Sequence, residues 1–403
     1  MAARRGTLLI GQAGGATAVI NASLVGVVEA ALASGCFRRV LGMCHGIEGL
    51  LEGRLVDLGA QPQAVLDQVK RTPSAALGTG RRKLDANELD RALDLLRRHD
   101  VRAFVYIGGN DSADTAHRLH AAAVASGFDL AVVSVPKTID NDLPETDHCP
   151  GYPSRARYLA SAVRDATYDT IASPQLYPVK FIDVMGRDAG WVSLACALAF
   201  SDDEADLQPL LFLPERPPAD AEAVVAEVEA HVHQRGWVVA VVPETLRDAA
   251  GRHLGGEEAQ YVDPFGHPYH DQPAVTLTRL VTRRLGLRAR FERPGTAARM
   301  SIALASPVDL NEAERLGRSA ADLAARGESD VMTTLVRVSD EPYRCEVGSA
   351  PLAAVANRVR AVPEEFIGAD GRSATDAFRR YALPLLGPEP FPTYGRLLPL
   401  PVD

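Results

Sequence analysis

Lysine is almost missing from this chain: only four of its 43 basic residues are lysines, at Lys70, Lys83, Lys137 and Lys180. Arginine serves nearly everywhere else, so a retained lysine marks a place where a compact ammonium suits and a planar guanidinium does not. Cysteine is also sparse. Cys36, Cys44, Cys149, Cys196 and Cys345 show no metal-ligand spacing, so reduced thiols are expected rather than a disulfide framework or zinc site. No apolar run approaches the ~20 residues of a membrane span. Residues 1–5 lead into an apolar strand instead of a secretory segment, which predicts a cytoplasmic protein. Positive charge is not in excess either. A net charge of -9 argues against nucleic-acid binding, so anionic substrates must be drawn by local cations, with Arg81, Arg187, Arg290 and Arg299 the candidates.

At 403 residues, with 46% hydrophobic content and a mean hydropathy of -0.05, the chain can bury ample apolar surface and is expected to form two lobes. Apolar strands alternate with helical patterns, the mark of an α/β fold. Strands are predicted at 7–10, 103–107, 131–135, 179–184 and 237–242, and helices at 18–34, 87–98, 113–126 and 154–171. The proline-rich stretch 214–218 reads as a surface connection before a helix at 220–234. There is no low-complexity linker, coiled coil or short-period repeat.

One run concentrates chemistry. Val135-Pro136-Lys137-Thr138-Ile139-Asp140-Asn141-Asp142 places a cation, a hydroxyl and two carboxylates just after an apolar strand. A carboxylate can orient or deprotonate a hydroxyl while a lysine neutralises a phosphate in transit, although Asp and Asn also favour plain turns. Val105-Tyr106-Ile107-Gly108-Gly109-Asn110-Asp111-Ser112 ends a strand in a glycine turn before a helix, and Thr7 to Asn21 repeats that design through Gly14 and Gly15. Such turns bring backbone N–H groups close to an anion. Gly108-Gly109 lacks the later third glycine of a dinucleotide fingerprint, and no glycine loop is followed by a phosphate-binding lysine, so dehydrogenase and P-loop readings are weak. His45, His148 and His267 lie in separate segments and read as structural. His231 and His233 fall on an exposed helix, and Trp191 and Trp237 read as core.

Taken in order, these segments resemble the phosphofructokinases, from Gly11 to the Tyr381-Ala382-Leu383-Pro384-Leu385-Leu386-Gly387 stretch. Leu77-Gly78-Thr79-Gly80-Arg81-Arg82-Lys83-Leu84 is similar to the family's arginine loop, Met185-Gly186-Arg187-Asp188-Ala189-Gly190-Trp191 to its sugar-phosphate loop, and Gly295-Thr296-Ala297-Ala298-Arg299 to its late phosphate-binding position. The resemblance implies an α/β fold of two Rossmann-like lobes with mainly parallel sheets and the active site in the cleft between them. It divides the chain into a donor lobe, 1–150 plus about 297–345, a sugar-phosphate lobe, about 151–296 plus 346–365, and a C-terminal extension, 366–403, packing on both.

Function follows by the same implication: phosphoryl transfer to the 1-hydroxyl of fructose 6-phosphate, with Mg2+. Asp140 matches the catalytic carboxylate, Asp142 its companion, Thr138 a contact to the transferred group and Lys137 the cation beside it. Gly14, Gly15, Arg81, Gly108, Gly109, Asn110, Asp111 and Ser112 match the donor site. Met185, Gly186, Arg187, Glu244, Arg290 and Arg299 match the sugar-phosphate site; the counterpart of Arg290 comes from a neighbouring subunit, which implies a homodimer or homotetramer. In the ATP branch positions 111 and 137 are glycines, so Asp111, which repels a nucleotide's α-phosphate, and Lys137 point to pyrophosphate, in a reversible reaction. Three of the four lysines lie in or beside these segments.

Departures stand beside the matches. Asn110 replaces a magnesium-binding aspartate, leaving Asp111 or Asp140 for the metal; Pro243-Glu244-Thr245, Ala298 and Pro153 also differ. The alternatives are another sugar phosphate such as sedoheptulose 7-phosphate, an ATP-dependent phosphofructokinase, or a noncatalytic subunit. Sugar-phosphate binding without turnover would mark the last.

Overall fold

The computed structural model describes residues 6–80, 82–256, 258–263 and 268–397. Arg81 and His267 therefore lie outside the described residues. The strands, in chain order, are β1 (Thr7–Gln12), β2 (Arg39–Met43), β3 (Leu55–Asp57), β4 (Val101–Gly108), β5 (Ala131–Pro136), β6 (Val179–Val184), β7 (Leu210–Leu211), β8 (Val238–Pro243), β9 (Tyr261–Val262), β10 (Pro268–Tyr269), β11 (Ala289–Glu292), β12 (Val331–Asp340) and β13 (Tyr343–Pro351). One seven-stranded sheet has the order β13-β12-β5-β4-β1-β2-β3, a four-stranded sheet has the order β11-β6-β8-β7, and β9 and β10 pair by themselves.

Strands β1, β5, β6 and β8 are buried along their whole length, as expected of parallel strands with helices on both faces. The chain is α/β as expected, with antiparallel pairing only at β2–β3, β9–β10 and β12–β13 among the described pairs. Helices Ile20–Ser34 and Pro307–Arg326 cross very closely on the large sheet. A Cβ on Gly26 would lie 2.3 Å from the Glu314 carbonyl oxygen, and one on Gly317 only 2.1 Å from that of Ser23. Glycine is needed on both sides.

Two boundaries differ from expectation. The helix predicted from 113 begins at Asn110, directly after Gly109, so Asn110 and Asp111 form its first turn. The expected lobe boundary at 345/346 falls inside β13, which pairs with β12 through Pro351, so residues 346–351 belong to the large sheet. Pro153 also finds a local reason: it stands in the first turn of helix Tyr152–Ala172, where a missing N–H loses no bond. The Asp309 carboxylate caps that helix, accepting from the Gly151 and Ser154 backbone N–H groups at 2.9 and 3.0 Å. Burial pushes its pKa up to about 6.

His148 is structural, but it is charged. Completely buried, it bridges Asp147 through Nδ1 and Glu312 through Nε2, each at 2.8 Å. Burial opposes the charge, yet the two carboxylates overcome it and raise the pKa to about 9. Because the folded value exceeds the ordinary histidine value of 6.5, the stabilisation is complete below that value and disappears as pH rises through about 9. Denaturant titrations should therefore show stability falling by on the order of 2 kcal/mol between pH 6 and pH 9.5. His148→Gln should flatten that decline.

Candidate active site

A cleft of about 550 Å³ opens where the C-terminal ends of β1, β4 and β5 face those of β6 and β8. Ligands favour this edge of open parallel sheets, because side chains on the strand-to-helix turns converge there. After β1 come Gly14 and Gly15; after β4, Gly109, Asn110, Asp111 and Ser112; after β5, Lys137, Thr138, Asp140 and Asp142. Opposite stand Met185 and Arg187 after β6 and Glu244 after β8, with Arg299 at the junction.

Both glycine turns have physical reasons for their glycines. A Cβ on Gly14, whose φ is +71°, would lie 3.2 Å from Lys137 Nζ. Gly108 lies beneath the cleft surface, where a Cβ would strike Ser112 Oγ at 2.1 Å. The loop after β5 is wound tightly: the Asp140 N–H donates to Thr138 Oγ1 at 3.1 Å, and Asn141 adopts φ +57° between the two aspartates. That left-handed conformation suits asparagine. Asp140 Oδ1 is buried and has no protein partner.

Carboxylates crowd this space. Desolvation, then the like charge of Asp140, pushes Asp142 up to about 6, against a Thr138 hydrogen bond and the Arg187 charge. Burial pushes Asp183 up to about 7, eased by Arg293. Glu244 is raised too, by burial and by Asp140. Arg293 bridges Asp183 at 3.2 Å and Glu244 at 3.3 Å.

Not every expected residue lines the cleft. Gly186 does not, though its carbonyl accepts from Thr245 Oγ1 at 3.3 Å; Thr245 also donates to the Arg187 carbonyl, so this departure ties the end of β8 to the loop after β6. Arg290 stands outside, stacked on the Tyr177 ring at 3.2 Å. Lys180 pairs with Asp169 and Glu292, and Lys70 with Glu314, so these two lysines serve packing. Lys83 meets Asp111 at 3.7 Å.

Some residues escaped the sequence reading. His253 and His270 stack with ring centroids 4.4 Å apart and line the cleft with Tyr261 and Tyr269. Burial and the His270 ring depress His253 to about 4. The ring is neutral: Nδ1 accepts from the Gly255 N–H and Nε2 donates to the Glu244 carbonyl. Arg155 is buried behind the cleft wall, donating to the Met185 carbonyl at 2.9 Å while Nε and Nη1 have no partner. Nothing local in the sequence marks Arg155 or Arg293, apart from the closeness of Arg293 to Arg290.

Residues 7–324 match the family described as phosphofructokinase. The chain belongs to the phosphofructokinase family. It is 40% identical over 396 residues to a pyrophosphate--fructose 6-phosphate 1-phosphotransferase of Xanthomonas campestris pv. campestris, covering 97% of this chain and 94% of that relative. It is 38% identical to one from Methylococcus capsulatus, covering 96% and 93%. The structure of a pyrophosphate-dependent phosphofructokinase from Nitrosospira multiformis superposes with a TM-score of 0.86 at 35% identity, covering 99% of this chain and 95% of that one. The fold of the family is thus carried over nearly the full length. No described helix is long and apolar enough to cross a membrane.

Proposed function

We propose that this chain transfers a phosphoryl group from pyrophosphate to the 1-hydroxyl of fructose 6-phosphate, giving fructose 1,6-bisphosphate and phosphate. The observation that carries the reading is Asp140: a buried carboxylate oxygen without a protein partner, on a cleft loop shared with Lys137 and Asp142. The names of the similar full-length relatives support it.

In this reading Asp140 accepts the proton of the attacking hydroxyl. Its neighbour Asp142 is pushed up to about 6 by burial and then by the like charge of Asp140, so it carries its proton to higher pH than an ordinary aspartate. Lys137 lies beside Gly14 and holds a fixed positive charge against the transferring group, where exclusion of water makes it count most. Thr138 contacts the same group. Glu244 receives sugar hydroxyls, and Arg187 and Arg299 take the 6-phosphate, whose oxygens suit a guanidinium fork. Asp111, in the first turn of its helix, opposes a nucleotide's α-phosphate.

Magnesium fits the donor set. Asp140 and Asp111 line one cleft, and a hard cation that keeps several waters needs only one or two protein carboxylates beside substrate phosphates. When bound, it would neutralise charge on the pyrophosphate. Arg290, outside the cleft of its own chain, is assigned to a neighbouring subunit's sugar-phosphate site in a homodimer or homotetramer. A cytoplasmic location agrees with such substrates.

The test supplies purified protein with magnesium, fructose 6-phosphate and either pyrophosphate or ATP. Bisphosphate should form with pyrophosphate alone, with less than about one-hundredth of that rate with ATP, the size of a small repulsive discrimination. Product with ATP only would overturn the donor assignment.

A further inference from the structure

The three turns that carry the reacting groups are tied together by one short segment, 357–362. Its first contact is with the donor turn: Asn110 Nδ2 donates to the Arg358 carbonyl, and Asn110 Oδ1 accepts from the Asn357 N–H at 2.6 Å. Its second is with the catalytic loop, where the Arg360 guanidinium donates to the carbonyls of Asn141, Thr146 and Asp147 at 2.8, 2.7 and 2.6 Å. Its third is with the sugar-phosphate loop. Arg360 lies over the Trp191 ring at 4.6 Å, and Trp191 Nε1 donates to the Arg360 carbonyl at 3.0 Å.

Asn141 receives a second hold. Wholly buried, it donates through Nδ2 to the Tyr381 hydroxyl at 3.1 Å and accepts at Oδ1 from the Cys149 N–H at 2.9 Å. Tyr381 in turn donates to the Asp147 carbonyl at 2.8 Å. The residue between the two aspartates is thus gripped by backbone and side chain while its φ is positive. These contacts fix a left-handed conformation that asparagine already tolerates.

We propose that Arg360 is a positioning residue that sets the Asp140 loop against the Met185-Gly186-Arg187 loop, and that Asn110 anchors the same segment instead of ligating a metal ion. Both halves of the Asn110 amide are engaged, one as donor and one as acceptor. An aspartate offers acceptors only and would face the Arg358 carbonyl with like charge. The Asn110 departure is therefore explained by the segment it serves. The Tyr381 stretch, otherwise without a role in the reaction, belongs to the same clamp.

The inference rests on the phosphoryl-transfer reading for its kinetic test, so a second readout is independent of turnover. Arg360→Met should lower kcat by about 10²-fold with the KM values for pyrophosphate and fructose 6-phosphate held within about threefold, since misplacement acts on the reacting geometry rather than on binding. Tyr381→Phe, which keeps the ring contacts, should move kcat the same way by about fivefold, and serves if Arg360→Met fails to fold. In both variants, backbone hydrogen exchange across 137–149 should rise by about tenfold or more. Asn110→Ala should leave the magnesium requirement unchanged, whereas a tenfold higher requirement would restore Asn110 as a ligand. Exchange and kcat at wild-type levels in Arg360→Met or Tyr381→Phe would overturn the clamp. A wild-type protein without turnover, in which the variants still accelerate exchange, would sink the phosphoryl-transfer reading and leave the clamp standing as the organiser of these loops.

Discussion

Asp140→Asn should reduce kcat by about 10²–10⁴-fold, the range for a positioned proton acceptor, and leave the fold intact. Asparagine is nearly isosteric, and the buried Asp140 Oδ1 gives up no protein hydrogen bond when replaced. The remaining loop contacts, the N–H to Thr138 and the clamp on Asn141, do not involve the Asp140 carboxylate. Substitution also removes a like charge from beside Asp142 and Glu244, both raised by Asp140, so these carboxyls should ionise at lower pH. Thermal unfolding should then match or exceed wild type. A variant retaining more than about one-tenth of wild-type kcat would remove Asp140 from the proton-accepting role.

Lys137→Met is expected to cost about 10²–10³ in kcat, the scale of one preorganised electrostatic donor. Lys137 is 3% exposed, and methionine fills a similar volume, so packing should survive. Arginine should not rescue it. A guanidinium is wider than an ammonium, and Lys137 Nζ lies so near the Gly14 turn that an added Cβ there would come within 3.2 Å of it, so the larger group should press on this turn. In a chain that otherwise prefers arginine, a compact cation suits this place. Restoration of most of the rate by Lys137→Arg, measured with pyrophosphate in excess, would contradict this steric account.

What was legible in the sequence was local. Strand β6 lies at 179–184 as expected, and β1, β4, β5 and β8 differ from their expected bounds by one or two residues, because buried parallel strands are near-continuous apolar runs. Lys137, Thr138, Asp140 and Asp142 share one loop, so their meeting in the cleft needed no long-range information. Arg155, Asp183, Arg293 and Arg360 were not legible, since each acquires meaning from a partner distant in sequence: Met185, Arg293, Glu244 and Asn141 respectively. The 261–269 pairing carries two residues per strand, too few for any periodicity. The helix start at Asn110 was missed because its cap is Gly109, a residue that marks a turn as readily as a helix.

The most direct measurement is a ³¹P NMR time course of the wild-type protein with magnesium, pyrophosphate and fructose 6-phosphate. The pyrophosphate resonance should decay while orthophosphate and a sugar 1-phosphate signal rise together in equal amounts. Pyrophosphate left unchanged, or split into two phosphates with no new sugar ester, would contradict transfer through the Asp140 and Lys137 cleft.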